Sequence, residues 1–572
     1  MGKEKMKNKL IIFILTGIII ASCVNTETSS YNDTEDIQPE AALRSAPFSK
    51  GVNFSGWFES FSASGIPFSK YTEQDFADLK SLGADVVRLP VKLHSMTQGE
   101  PHYTIDPLLF KFLDIAVDWA EKYEIYIIID NHSFDPVNGL QDNIDSILVP
   151  VWSQIARRYK DRGDYVIYEI LNEPHGISDE RWGEVQGMVI QAIRSVDQRH
   201  AIIVGGTDFN SVGKLSAIPA YSDPNLIYTF HFYDPYLFTH QGASWGGPPL
   251  LTPLAGVPFP ADRRRMPRIP FALWGTWVAS SLRNSYANDA TYSKLSSTLD
   301  IAVAFSRERD VPVFCGEFGV LMNNSRPEDR VRWYTFVSGA LDRRNISRTS
   351  WDYYGGFGVF NSERGDFNSD LNIEIVSAMG FTAPEQIQRS LEPFNTGFVI
   401  FDDYPNSRYV SVVFWSDGNA AFSLYDTNSA RGEFAVLWGN ANQYSSFCFS
   451  FERGGDFSYL ASEGYCVEFL ARVDKPVNFD IRFIDNETAR SIPWRMRYTI
   501  DENILPPDGN WRLIRIPLAD MSEHGAWLGS TRRWINPRGE FSWKDVRQLE
   551  FCSEHMNMKD IYIRFDEIKI SR

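Results

Sequence analysis

Val166-Ile167-Tyr168-Glu169-Ile170-Leu171-Asn172-Glu173-Pro174 is the stretch on which the fold turns. A run of buried-strand character leads into a glutamate, and a carboxylate there is costly unless it sits at a strand end facing a cleft. Amphipathic segments frame the run, 151–159 before it and 181–196 after it. The same unit, a short β-rich run followed by a longer helical pattern, recurs from residue 50 onward. Candidate strands lie at 51–56, 86–91, 125–132, 166–174, 201–206, 226–233, 311–319 and 346–354, and further helical segments at 73–82 and 108–123. Continuous Val/Ile/Leu runs separated by helices predict a parallel sheet buried on both faces. Eight such units in about 340 residues predict an α/β fold, a (β/α)8 TIM barrel with insertions.

The longest insertion, 234–290, follows the sixth strand and carries Trp245, Gly246-Gly247-Pro248-Pro249, Phe259, Trp274 and Trp277. A long loop at that end of a barrel shapes a binding cleft or serves as a packing flap. Past Gly380 the pattern changes. Residues 384–396 read as a linker, and 397–572 as all-β, with runs at 398–401, 411–415, 434–438, 465–472, 478–483, 511–516, 546–551 and 561–570. Short strands with turn signals between them predict a sandwich.

The N-terminus reads as an export signal. Lys3, Lys5, Lys7 and Lys9 precede an apolar stretch of 11 residues at 10–20, too short to span a bilayer but suited to a signal peptide. It ends in Ile20-Ala21-Ser22-Cys23, which resembles a bacterial lipobox, in which the cysteine is lipidated and becomes the mature N-terminus. An ordinary secretory signal with a chance cysteine is the alternative. The organisation expected is therefore signal 1–22, flexible tether 23–46, barrel 47–383, linker 384–396 and sandwich 397–572. The chain is expected to be exported and lipid-anchored at the cell envelope, on the outer surface or in the periplasm. The 572 residues carry a net charge of −17, which excludes a phosphate backbone as partner; a monomer is expected. Of five cysteines, Cys315 reads as a buried hydrophobe, no metal-ligand spacing occurs, and a Cys448–Cys466 bridge stays open.

Catalytic residues of such a barrel sit at the C-terminal ends of its strands. Those ends supply Arg88, His132, Asn172-Glu173, His231, Tyr233, Glu317 and Trp351. Each alone is more often structural; their convergence carries the reading. Breaking an acetal needs a proton for the leaving oxygen and negative charge near the developing oxocarbenium ion. Glu173 suits the proton donor, with a pKa raised by burial, and Glu317 the ionised nucleophile. Arg88 can pair with Glu317, and Tyr233 can donate to it. Asn172, His132 and His231 can bind sugar hydroxyls, and Trp351 offers a flat apolar face.

These residues stand in motifs that resemble glycoside hydrolase family 5, the cellulase-type family of clan A, across about residues 50–380. The matching pieces are Gly51-Val52-Asn53, Val87-Arg88-Leu89-Pro90, Asp130-Asn131-His132, Leu171-Asn172-Glu173-Pro174, Phe230-His231-Phe232-Tyr233, Gly316-Glu317-Phe318-Gly319 and Ser350-Trp351. The resemblance implies a retaining double displacement, with Glu173 as proton donor and Glu317 as nucleophile, without a catalytic cofactor. Glu59, after Gly56-Trp57, and Trp245 join the substrate-binding candidates. Many family members carry a second His after the one on strand three; here Ser133 stands in its place, so that role does not carry over. The sandwich is similar to jelly-roll carbohydrate-binding modules, which implies a structural calcium with Asp402, Asp403 and Asp566 as candidate ligands. The expected activity is hydrolysis of β-glucan chains or oligosaccharides. β-Mannan and xyloglucan are the alternatives within the fold, and an inactive surface glycan-binding lipoprotein is the alternative of another class.

Overall fold

A computed structural model of the chain describes residues 43–572, except 134–137, 364, 389–390, 417–419, 486–491 and 530. The predicted signal peptide, Cys23 and most of the tether lie outside the described residues. No helix among the described residues is long and apolar enough to cross a membrane.

Eight parallel strands close into a barrel: β1 (Lys50–Asn53), β2 (Val86–Val91), β3 (Tyr126–Asn131), β4 (Val166–Glu169), β5 (Ile202–Gly205), β6 (Leu226–Phe232), β7 (Val313–Phe318) and β8 (Ser347–Ser350). Each pairs with the next in sequence, and β8 returns to β1 through Lys50↔Arg348 and Val52↔Ser350. The helices between them bury one face. The helix Pro107–Lys122 turns Leu109, Phe112, Leu113, Ala116, Val117 and Ala120 inward. It starts where Asp106 accepts from Leu108 N at 2.9 Å and Pro107 fixes the first helical φ.

Alternate strand residues face the barrel axis. Val86, Ile128, Ile167, Ile203, Ile227 and Phe314 form one closed apolar cluster with Ala46 and Phe48. Two residues further along the same strands stand Arg88, Asp130, Glu169 and Thr229, all buried. The barrel is thus oily at one end, and its charges gather toward the C-terminal ends of the strands.

Two strand ends differ from the sequence reading. β4 stops at Glu169, so Glu173 lies four residues beyond it in the following loop, with φ +47°. Ile170 and Leu171 are apolar because the start of the loop is buried: Trp152 Nε1 donates to Ile170 O at 2.9 Å, and Asn172 N donates to Asn131 O at 3.0 Å. β8 stops at Ser350, directly before Trp351.

The C-terminal part is two antiparallel sheets, of seven and eight strands, packed face to face; one two-residue strand, Glu392–Pro393, joins in parallel. All the predicted runs are strands, and Ala421–Asp426, Ser446–Asp456, Trp494–Ile500 and Ser522–Leu528 add to them. Trp438, Phe447, Phe479, Phe551 and Phe565 form its centre. The segment expected as a linker is held at both ends. Gln386 accepts from Leu371 N at 2.9 Å, and Phe394 is buried against Phe398 and Phe457. The sandwich packs on the barrel: Tyr425 Oη donates to Ile66 O at 2.9 Å and accepts from Phe68 N at 3.2 Å, and its ring meets Phe112.

Cys448 and Cys466 are free, as are Cys315 and Cys552, so the bridge left open by the sequence does not form. Asp402, Asp403 and Asp566 do not gather as a cation cage among the described residues. Asp403 instead accepts from Glu433 N at 2.5 Å and Phe434 N at 2.8 Å, and Asp566 from Ala430 N at 2.7 Å and Arg431 N at 2.9 Å. Both carboxylates anchor the backbone of one loop.

Candidate active site

Arg88 organises the C-terminal mouth of the barrel. It donates to Glu169 at 2.7 and 3.0 Å, to Glu317 and Asn172 at 2.8 Å each, and to Asn53 at 3.0 Å, and it pairs with Asp130 at 3.0 Å. Burial opposes the charge on the guanidinium, but the three carboxylates outweigh it and hold Arg88 charged far above its ordinary range. Of these partners, the sequence reading named only Glu317 for Arg88. Asp130 and Glu169 were legible as charges at inward positions of β3 and β4, and Asn53 as the polar end of β1.

Glu317 owes its place to an irregularity in β7. The pairing of β6 with β7 shifts between Phe230↔Cys315 and His231↔Glu317, which leaves Gly316 unpaired in a bulge. The freed Gly316 carbonyl accepts from Asn53 Nδ2 at 3.1 Å and Thr349 Oγ1 at 2.6 Å. A Cβ at Gly316 would lie 2.8 Å from Thr229 Oγ1 and 3.2 Å from His231 Nε2, so only glycine lets His231 close over it. Glu317 then receives Arg88 on Oε1 and Tyr233 Oη, at 2.9 Å, on Oε2. Burial and the Glu317 charge hold the Tyr233 phenol protonated. Two donors on one carboxylate fix its orientation in the cleft.

Glu173 faces it from the loop after β4. His231 Nδ1 lies 2.8 Å from Glu173 Oε1 and 3.5 Å from Glu317 Oε2. Oxygens of the two carboxylates and a nitrogen of His231 lie within 4.8 Å of one another. The spacing could admit a cation, but Arg88 already neutralises Glu317 and His231 already engages Glu173, so the cluster is arranged for moving a proton. Burial raises Glu173 to about 7, against the attraction of His132, Arg88 and His175. Burial also drives His231 down to about 4, so its ring is neutral.

His132 Nδ1 contacts Asp130 Oδ2 at 2.8 Å, and its Nε2 faces Asn172 Nδ2 at 3.2 Å. Burial opposes a charge on this ring, whereas Asp130, Glu59 and Glu317 push it up to about 9. Asp130 and Glu59 thus favour a charged ring, and Asn172 opposes it at Nε2, because it spends its oxygen on Arg88 and turns its Nδ2 there. Trp351 stacks on His132 at 5.7 Å and stays partly open. Glu59 Oε1 stands 4.0 Å from His132 Nε2, on the same side of the cleft. Ser133 Oγ accepts from His94 N at 3.1 Å and donates to Asn131 Oδ1, so it is spent on neighbouring groups of the chain.

On the Tyr233 side the insertion builds an aromatic wall. His240 stacks on Tyr236 at 4.4 Å and meets Tyr233 edge-on, and Trp245 lies against His240 and Phe357. Tyr236, Trp245 and Trp277 remain exposed. The structure therefore brings together Arg88, His132, Asn172, Glu173, His231, Tyr233, Glu317 and Trp351, with Glu59 and Trp245 at the two flanks.

One element went unread in the sequence. After β5, Asp208, Phe209 and Asn210 are all left-handed, at φ 57°, 60° and 53°. Each such residue costs roughly 1–2 kcal/mol, and runs of three are unusual without glycine. Thr207-Asp208-Phe209-Asn210 carries no signal that announces such a turn.

Residues 46–356 match the family model described as cellulase, glycosyl hydrolase family 5. The chain is similar to endoglucanase 3 of Fibrobacter succinogenes, 29% identical over 338 residues, or 55% of this chain and 50% of that protein. It is also similar to two proteins of Acetivibrio thermocellus. Endoglucanase H is 29% identical over 311 residues, 54% of this chain and 30% of that one. Endoglucanase C is 26% identical over 348 residues, 57% of this chain and 96% of that one. The chain thus spans half or less of the length of the first two.

Proposed function

The chain belongs to the cellulase family, glycosyl hydrolase family 5, and on that premise we propose that it hydrolyses β-linked glucan chains by a retaining double displacement. In the first step Glu173, protonated near neutral pH, gives its proton to the glycosidic oxygen while a Glu317 oxygen attacks the anomeric carbon. Arg88 and Tyr233 hold Glu317 in place and steady its charge until the covalent bond forms. In the second step Glu173, now a carboxylate, takes a proton from water, and that water displaces Glu317 from the sugar. The Asn172 amide reaches the 2-hydroxyl, and Trp351 lies under the ring.

The observation that carries this reading is the separation of the two acids. One oxygen of each lies within 4.8 Å of the other, which is closer than the roughly 6.5–9.5 Å of inverting sites and supports a retaining site of roughly 5–5.5 Å. The family and the names of the three relatives above, each an endoglucanase, support a glucan cut internally. The open aromatic flank at Tyr236, Trp245 and Trp277 supports a chain longer than the cleaved pair of sugars. Cys23, by the sequence alone, supports a lipid anchor at the cell envelope.

The test is product analysis over time on β-glucans and β-mannans, with Glu317→Ala as control. A ladder of gluco-oligomers, lost in the variant, is expected. Turnover by the variant, or cleavage of mannan alone, would overturn the reading.

A further inference from the structure

We propose that the left-handed turn Asp208-Phe209-Asn210 is a positioning device for Glu173: Asn210 fixes the tautomer of His231, and Phe209 pins the loop that carries Glu173. The inference rests on Glu173 acting as the proton donor and goes beyond it by naming what sets its proton.

Asn210 is fully buried. Its Nδ2 lies 3.4 Å from His231 Nε2, a long contact between two groups with no solvent to compete. With Nδ2 turned toward it, Nε2 accepts, and the carboxylates of Glu173 and Glu317 at 2.8 and 3.5 Å draw the proton of the neutral ring to Nδ1. That proton points at Glu173 Oε1, 2.8 Å away. Oε1 is thereby committed as an acceptor, and the catalytic proton is left to Oε2. Asn210 is itself wedged: its Oδ1 would lie 2.5 Å from a Cβ on Gly205. Phe209 acts on the backbone. Its ring stacks on His175 at 4.4 Å and 17°, and His175 Nδ1 lies 2.9 Å from the Glu173 carbonyl. Phe209 N also donates to Pro174 O at 3.4 Å. One turn therefore holds both the partner of the Glu173 carboxyl and the loop behind it, and its strained backbone allows two adjacent side chains to do so.

The groups facing Glu173 and His231 from neighbouring elements are Arg88 on β2, Asp130 and His132 at β3, His175 in the β4 loop, Tyr233 and Tyr236 after β6, and Glu317 on β7. None of them contacts His231 Nε2 among the described residues, so on that side the ring answers to Asn210, while Glu173 and Glu317 meet it at Nδ1.

Asn210→Asp keeps the shape and reverses the demand. A carboxylate at Nε2 recruits a second proton to the ring, and an imidazolium beside Glu173 favours its ionised form. The upper limb of the kcat/KM profile is expected to fall by at least about one pH unit. Hydrolysis of aryl glycosides with poor leaving groups drops about 10–100-fold, while those with good leaving groups change little. Asn210→Gly suits the positive φ and deletes the amide; it is expected to lower kcat on poor leaving groups with KM unchanged. A wild-type pH profile and leaving-group dependence in both variants would overturn the proposal. A wild-type protein inert on every β-glycan would instead remove the function it rests on.

Discussion

Arg88→Lys keeps the charge and removes the fork, which makes it a quantitative probe of the site. The guanidinium makes five hydrogen bonds, two to Glu169 and one each to Glu317, Asn172 and Asn53. An ammonium offers three donors from a single point, so at least two contacts are lost. It cannot serve Glu169 and Glu317 together with the geometry each now has, so one buried carboxylate loses its partner. A hydrogen bond to a buried charge is worth about 1.5–3 kcal/mol, and two are worth about 3–6 kcal/mol. If the loss falls on Glu317 it appears in the transition state, and kcat/KM drops by roughly 10²–10⁴. If it falls on Glu169 it appears as a lower melting temperature. Steady-state kinetics on an aryl β-cellobioside, with thermal unfolding followed by circular dichroism, separates the two. A variant within tenfold of wild type in kcat/KM and with unchanged melting would refute the central role given to Arg88.

Glu173 works as an acid only while protonated, and its pKa is about 7. Activity therefore declines as pH rises through that value, about tenfold per unit above it; a kcat/KM that stays level to pH 9 would contradict the assignment. Removing residues 397–572 uncovers Phe68 and Phe112, which Tyr404 and Tyr425 cover in the full chain. Exposing such a side chain costs up to roughly 1.5–3 kcal/mol each, so the truncated barrel is expected to melt lower or aggregate; equal melting and solubility would show the interface to be dispensable.

The sequence located all eight barrel strands because buried parallel strands are continuous apolar runs between amphipathic helices. It misjudged where β4 ends because Ile170 and Leu171 stay buried beyond Glu169, with Ile170 N still donating to Ile203 O at 3.2 Å and Trp152 donating to Ile170 O, and such burial leaves the same apolar signature as a strand. Glu173, Glu317, Arg88 and Tyr233 were legible as polar groups at strand ends. Glu169 and Asp130 were hidden in plain view: the two-residue alternation that puts Ile167 and Ile128 inside also puts these charges inside, and only the presence of Arg88 makes that tolerable. The bulge at Gly316 and the turn at 208–210 depend on neighbours distant in sequence, Asn53 and Thr349 for one and His175 and His231 for the other. The polar stretch 384–396 resembled a linker, yet a single aromatic, Phe394, ties it into the sandwich.

The central claim is that Glu173 and Glu317 act by double displacement across the short gap between their carboxylates. Following the anomeric proton signals during hydrolysis of a β-glucan oligosaccharide, before mutarotation, tests it most directly. The β-anomer forming first is the result the carboxylate spacing predicts; the α-anomer forming first would contradict it.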